Sequence, residues 1–522
     1  MPTLVIFMLT VVFLWVKAQP QTMQGVVYVD ENQNGLRDSH EAGVSGVLVS
    51  NQRDVVQTDA QGRYTLPAMS RMIIFITKPS GYSVPLNNNQ QPRFFYIHQP
   101  QGSPKNLKYA GLEPTGPLPK SVDFALYKSD YTENFEAIIV GDPQPRDSTE
   151  VGYFRDDIVS EMYGRKARFY IAHGDIAFDN LSIYKQYNQI VGKLGLPAYN
   201  VHGNHDMNFD VSHDSLAAET FKRYFGPADY SFNYGKVHFV VLDNVRYNGW
   251  DSDENKNGGY TGYLNKRQLQ WLKEDLKYTP QDYLVVINTH IPIKSPVSDG
   301  ASINLTNRAE LFKILEKRRH LLALSAHMHY IDHLEFAKQD GWLGDATFYN
   351  INVGAGCGAW WSGPKDARGI PESFCLDGSP NGFYIFSFSD NAFNYRYIPA
   401  HIPEYKQMRV TFPVGTVDID SLTDKKILVN IYNADSAAKV YCSIDNGPQQ
   451  LMQQATMRDP FIVKYLKDRS QFPGWINEAV KHKHMWTLPL PKKLNTGTHT
   501  LHFNAKDSKN NIYRGFTIFN IR

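Results

Sequence analysis

The chain has 522 residues, enough for about three domains at roughly 150 residues each. Its 42% hydrophobic and 20% charged residues supply ordinary cores and exclude a disordered or collagen-like chain. With 54 Lys and Arg against 52 Asp and Glu the formal charge is +2, too little basic excess to neutralise a phosphate backbone, so no nucleic-acid partner is expected.

Residues 4–16 form the one long apolar run, interrupted by a single Thr. That length suits a signal-peptide core and is short for a spanning helix, which needs about 20 residues. Val16 and Ala18 fit the small-residue positions of a cleavage site, so residues 1–18 read as a signal peptide. The alternative is an uncleaved membrane anchor. The expected product is exported, periplasmic or extracellular, with no transmembrane segment in the mature chain. Three cysteines exclude a disulfide scaffold and a cysteine-rich zinc module. In an oxidising compartment Cys357 and Cys375 are expected to pair, leaving Cys442 as a buried apolar residue.

Residues 24–127 show short strand-like runs at 25–29, 47–50, 63–66 and 72–77, punctuated by Pro and Gly. This is the pattern of a small β-sandwich. From 134 to 400 strands alternate with helices: strands at 137–140, 169–172, 198–201, 238–242 and 283–288, a helix at 156–163, and an amphipathic helix capped by Asn265. Leu269, Leu272 and Leu276 share one face of that helix. This alternation predicts an α/β domain with buried strands. Residues 404–522 return to strand-like runs at 408–412, 426–432, 439–444, 498–504 and 516–521, a second β-sandwich without helical period.

Five signatures in the middle domain each follow an apolar strand. They are Asp142-Pro143-Gln144, Gly174-Asp175, Gly203-Asn204-His205-Asp206, Thr289-His290 and His327-Met328-His329. Ligands of an open α/β sheet bind beyond the carboxyl ends of its strands. Mixed oxygen and imidazole donors without a thiolate suit a pair of borderline divalent metals (Mn, Fe, Zn or Co) rather than a structural zinc. Two such ions need a carboxylate between them, and Asp175 is the candidate bridge. The expected chemistry is attack on a phosphoester by metal-bound hydroxide, with His205 as acid for the leaving oxygen. Each piece alone has a bland reading: a Gly-Asp pair is usually a turn, and a lone His is usually a satisfied core residue. Five in order after apolar strands make coincidence a poor explanation.

These residues resemble the calcineurin-like metallophosphoesterases, whose pattern runs D-x-H, G-D, G-N-H-D/E, H and G-H-x-H. The resemblance covers about 134–400 and extends to Tyr230–Gly235, Phe239–Asp243 and Gln268–Leu272. It implies an α/β fold built on a central β-sandwich flanked by helices, with all-β sandwiches on either side as in exported bacterial members. It also implies that Asp142, Gln144, Asp175 and His329 hold one metal, that Asp175, Asn204, His290 and His327 hold the other, and that His205 is the acid. Two departures stand out: Gln144 occupies a usual His position, and Ala326 a usual Gly position. The residue that orients His205 is open, with Asp206 favoured and Asp179 a second possibility.

Two further features stand apart. Asp30, Asn32, Asn34, Asp38 and Glu41, with Gly35 at the turn, match the spacing of a calcium loop, against the plain reading of a polar loop that binds nothing. Trp360 and Trp361, in a Gly-rich stretch after the His pair, are candidates for gripping the organic part of a substrate, or for packing between domains. The function expected is an exported phosphoesterase acting on a small-molecule, glycan-linked or lipid-linked phosphoester. Its rivals are a decayed catalytic domain serving as a surface or glycan binding module and a two-metal hydrolase of something other than phosphate.

Overall fold

A computed structural model describes residues 21–422, 424–467, 478–491 and 494–522. The expected signal segment therefore lies outside the described residues, and no described helix is long and apolar enough to cross a membrane.

The N-terminal unit is two four-stranded sheets. One orders Arg63–Pro67, Thr22–Val29, Phe124–Lys128 and Tyr82–Ser83; the other orders Val55–Gln57, Leu48–Ser50, Met72–Ile76 and Phe95–His98. Arg63–Pro67 alternates exposed and buried positions, as a strand with one wet face should. Met72–Ile76 is buried at every position because its second face meets the next domain. There Phe75 lies edge-on to Trp271, ring centroids 5.8 Å apart. The Thr77 hydroxyl meets that of Ser231 at 2.8 Å, and Asn233 N donates to Lys78 O, so a single bridge ties this segment to Tyr230–Tyr234 of the central unit.

The central unit, from Asn134 to Pro399, is two sheets packed face to face with helices outside. The first orders Ala198–Val201, Tyr170–His173, Asn134–Val140, Gly382–Ser389 and Ala392–Pro399. The second orders Tyr230–Tyr234, Val237–Val241, Leu284–Asn288, Leu321–Ser325, Phe348–Val353 and Ile331–Glu335. Between them Phe135, Phe169, Phe232 and Phe239 interlock, with Phe169 perpendicular to Phe232 at 5.4 Å.

The parallel pairings decide where chemistry can happen. Val140 sits opposite Ala172 and His173 opposite Val201, while Asn288 lies level with both Val241 and Leu324. Strands of both sheets therefore end at one edge, and the loops that follow emerge together.

The helix Lys266–Tyr278 starts where the sequence places it. Asn265 accepts from Arg267 N and Gln268 N, and the Gln268 side chain returns the bond to complete a capping box. Leu269, Leu272 and Leu276 are buried with Trp271 beside them. The helix expected at 156–163 begins earlier. Asp147 caps Ser148–Phe154, which runs through a wide π turn, Arg155–Val159, into Ser160–Met162.

The C-terminal unit is a sandwich of a four-stranded and a five-stranded sheet. It also carries a helix, Pro460–Lys467, where no helical period was expected. Only Ile462 and Leu466 need burial on so short a helix. Its Phe461 and Tyr465 pack on Phe374 of the central unit, each at 5.0 Å.

The expected Cys357–Cys375 disulfide is corrected: both thiols are free and buried, as is that of Cys442. The two side chains point to different places. Cys357 Sγ faces Gln144 Oε1 at 3.7 Å, whereas Cys375 Sγ faces the carbonyl oxygens of Ala355 and Pro380.

Candidate metal centre and active site

The strand-end loops converge as their register requires. Asp142 and Gln144 follow Asn134–Val140, Asp175 follows Tyr170–His173, and Asn204 and His205 follow Ala198–Val201. From the second sheet, His290 follows Leu284–Asn288, and His327 and His329 follow Leu321–Ser325. Asp142, Gln144, Asp175, Asn204, His290 and His329 are all buried.

The donors form two adjoining groups. Ligand atoms of Asp175, His290 and His327 lie within 4.8 Å of one another. His290 Nε2 is 3.2 Å from Asp175 Oδ2 and 2.9 Å from Asn204 Oδ1. On the other side His329 Nε2 is 3.6 Å from Asp142 Oδ1. Asp175 lies between, reached by Gln144 Nε2 at 3.2 Å.

The Gln144 oxygen, the atom a metal would need, is turned instead towards Cys357. A half-turn of the amide exchanges oxygen and nitrogen at no steric expense, because the two ends are nearly isosteric.

Two imidazoles are held in a ligating orientation. His290 Nδ1–H donates to the His173 carbonyl at 2.7 Å and His329 Nδ1–H to the Gly358 carbonyl at 2.6 Å. Their Nε2 atoms are thereby aimed inward, that of His290 at Asp175 and Asn204 and that of His329 at Asp142. His327 differs, since its Nε2 reaches the Ser302 carbonyl at 3.1 Å while its backbone N donates to both Asp142 carboxylate oxygens.

Charge is crowded inside the cage. Burial and the neighbouring Asp175 carboxylate push Asp142 well above the usual carboxylate range. Asp175 sits below that range, since the charges of His290 and His205 overcome its burial. Burial opposes charge on His290, but Asp175 and Asp142 raise it to about 9. Burial drives His327 down to about 3 and His329 to about 4. These opposed shifts come from acids and imidazoles packed into one buried cluster of oxygen and nitrogen donors, a set that could hold a divalent cation.

The backbone is bent to achieve this. Asp142, Gln144, Asp175, His327 and His329 all have φ between 38° and 70°. This left-handed region is uncommon for residues with a Cβ, and residues held there cluster at functional sites. The glycines of the motifs serve close approach. A Cβ on Gly174 would lie 2.5 Å from His290 Nδ1, and one on Gly203 would lie 2.0 Å from Asp175 N and 2.3 Å from its Oδ1. Gly203→Ala is thus expected to dislodge Asp175 and cut metal retention about tenfold or more, read by metal analysis after dialysis.

His205 lies beside this cage. Its backbone N donates to Asp175 Oδ1 at 2.8 Å, and its Nδ1 meets Asp179 Oδ1 at 2.7 Å. Phe178 stacks on the ring, centroids 4.4 Å apart. Burial lowers the tendency of His205 to charge, but the Asp175 and Asp179 carboxylates outweigh it and its pKa is raised.

The favoured role for Asp206 is corrected. Its carboxylate accepts from Ile176 N, Ala177 N, Gly203 N and the Tyr184 hydroxyl, so it braces the two loops and does not touch the His205 ring. Asp179 holds His205 instead; its spacing from Asp175 was visible, but the turn that brings it back was not.

Trp360 is buried as well, tilting over His329 at 4.6 Å and meeting Phe178 edge-on at 5.4 Å. Trp361 is corrected as a substrate residue. It is buried, with Nε1–H donating to Asp157 Oδ2 at 3.0 Å, because the chain turns it onto the helix rather than the cleft. Tyr260, missed in the sequence, stands edge-on to His327 at 5.9 Å.

In the N-terminal loop, Asp30 accepts from Asn34 N and Gly35 N, Glu41 accepts from Glu31 N and Asp38 N, and Asp38 accepts from the Asn32 amide. The five residues do turn around one another, with no helix on either flank.

Family profiles match this chain along most of its length. The calcineurin-like phosphoesterase profile covers residues 138–330, its N-terminal companion 31–112 and its C-terminal companion 350–513. The chain belongs to the calcineurin-like phosphoesterases, and it is a metal-dependent phosphoric ester hydrolase. A probable glycerophosphodiester phosphodiesterase GpdQ of Arcobacter nitrofigilis is 27% identical over 205 residues, 37% of this chain and 71% of the relative. Among solved structures, a dimetal phosphatase from Danio rerio is 16% identical with a TM-score of 0.35, covering 50% of this chain and 95% of the other. Purple acid phosphatase PPD1 from yellow lupin (Lupinus luteus) seeds is 12% identical with a TM-score of 0.37, covering 72% of this chain and 66% of the other.

Proposed function

We propose that this chain is an exported phosphoesterase that uses two divalent ions to hydrolyse phosphomonoesters or phosphodiesters. The observation that carries the reading is the two-sided cage around Asp175. Asp175, Asn204, His290 and His327 would hold one ion; Asp142, Asp175, His329 and a turned Gln144 would hold the other. Once bound, the ions would supply charge stabilisation for the phosphoryl oxygens and a water of lowered pKa. His205 then delivers the leaving-group proton from Nε2, while Asp179 fixes Nδ1 and Phe178 fixes the ring plane. Asp206 keeps the loops carrying Asp175 and Asn204 in register.

Reconstitution with Mn, Fe, Zn or Co tests this reading. Two ions per chain are expected, with chelator-sensitive turnover of p-nitrophenyl phosphate, bis-(p-nitrophenyl) phosphate or a glycerophosphodiester. The last belongs in the panel because of the name of the GpdQ-type relative. Fewer than two ions overturns the two-metal reading, and two ions without turnover of any of the three esters overturns the substrate reading. Export rests on the apolar run at 4–16, and the mature N-terminus read by mass spectrometry checks it. Calcium at Asp30, Asn32, Asn34, Asp38 and Glu41 is part of the same proposal, and titration calorimetry with Ca²⁺ decides it.

Gln144 makes the cage unequal, since an amide oxygen ligates more weakly than an imidazole. Gln144→His is expected to tighten the looser of the two ions about tenfold, measured by competition with a chromogenic chelator.

A further inference from the structure

We propose that the N-terminal domain is a working part of the catalytic centre: residues 107–109, a strap from that domain, position the acid His205 through Asp179. The inference rests on the reading of His205 as the leaving-group acid.

The strap meets loops on both sides of the centre. Leu107 packs on the cluster of Met207, Val211, Tyr247 and Ile291. Met207 lies two residues past His205 and Ile291 one past His290. The backbone of Tyr109 is fixed in a closed ring of bonds. Tyr109 N donates to Asn208 Oδ1 at 3.2 Å, the Asn208 amide donates to Thr220 Oγ1 at 2.8 Å, and that hydroxyl donates to Tyr109 O at 2.8 Å. From that backbone the Tyr109 hydroxyl donates to the carbonyl oxygen of Asp179 at 3.1 Å.

That carbonyl belongs to a residue which needs holding. Asp179 has φ of 59°, a conformation that persists in a residue with a Cβ only where its surroundings over-determine it. Three contacts do so: its N–H donates to the His205 carbonyl at 3.2 Å, its carboxylate meets His205 Nδ1 at 2.7 Å, and its carbonyl accepts from Tyr109. Two of the three come from His205, whose backbone N is itself tied to Asp175 Oδ1, so the third is the contact that reaches the N-terminal domain. The Tyr109 bond ties the Asp179 carbonyl to the strap, while the neighbouring Phe178 and Asn180 are tied to Pro145 O and Arg146 O. Without the Tyr109 bond the peptide can relax and carry the carboxylate, and with it the imidazole, away from the leaving oxygen. Half an ångström at a proton donor is enough to be felt in rate.

The experiment uses the full chain, loaded with metal, and a series of phosphoesters running from aryl to alkyl leaving groups. Tyr109→Phe keeps the ring and removes this bond. Good leaving groups need no acid, so p-nitrophenyl phosphate is expected to change by less than about twofold, while alkyl esters slow about tenfold. Metal content and melting temperature stay as in the parent. Thr220→Val, which frees the strap without touching the tyrosine hydroxyl, gives the same steepened leaving-group dependence. His205→Ala is the reference. If His205→Ala steepens the dependence and the strap variants leave it unchanged, or only lower the melting temperature, the proposal falls and the acid assignment stands. If none of the three steepens it, the acid assignment falls and the proposal with it.

Discussion

Asp175→Asn is expected to lower kcat/KM about a thousandfold, roughly 4 kcal/mol, and to reduce bound metal from two ions to one or none. The amide keeps the shape of the carboxylate. It can still accept from His205 N on Oδ1, the bond that sets the Asn204–His205 loop, so far-ultraviolet circular dichroism should not change. What disappears is the one negative charge reached from both halves of the cage, by His290 on one side and Gln144 on the other. With two dications held as proposed, its removal would leave nothing between them to offset their repulsion. A variant that retained both ions at parental affinity would sink the bridging role.

Asp179→Asn is expected to slow turnover of poor leaving groups about ten- to a hundredfold, with p-nitrophenyl esters much less affected. It should also move the basic limb of the pH profile. In the parent, burial opposes charge on His205, while the carboxylates of Asp175 and Asp179, the latter on Nδ1 at 2.7 Å, favour it and raise its pKa. Taking away one of those charges lowers that pKa, and activity should then fail at lower pH than in the parent. The profile of kcat/KM against pH with an alkyl ester measures it, and a basic limb moving upward would contradict the assignment.

Much of the centre was legible because its signals are local. Asp142, Asp175, Asn204, His290 and His327 each lie within three residues of a strand end, and parallel register alone brings those ends level. The capping box at Asn265 is equally local. What escaped reading depends on the direction a side chain takes after a turn. Asp206 and Asp179 are both near the motif, but whether a carboxylate faces an imidazole or a row of backbone N–H groups is settled by φ at single residues, such as 59° at Asp179. Cys357 and Cys375 sit in one Gly-rich loop, yet their thiols face different carbonyl and amide oxygens. Trp361 resembles its neighbour in sequence and in burial, yet its ring meets Asp157 and Tyr153 where that of Trp360 meets His329 and Phe178. The helix Pro460–Lys467 escaped because two buried residues are too few to establish a period.

The left-handed bends at the five donors bear on durability as well as chemistry. Each bend withholds some folding free energy, and the buried carboxylates add mutual repulsion whenever no cation lies between them. Chelated protein should accordingly lose its tertiary order at a markedly lower temperature than loaded protein, and the first region to loosen should be the rim of strand-end loops rather than either outer sandwich. Selection for heat tolerance in a chelating medium would favour glycine or neutral residues at those bends, and the survivors would be sturdy, metal-blind and inert.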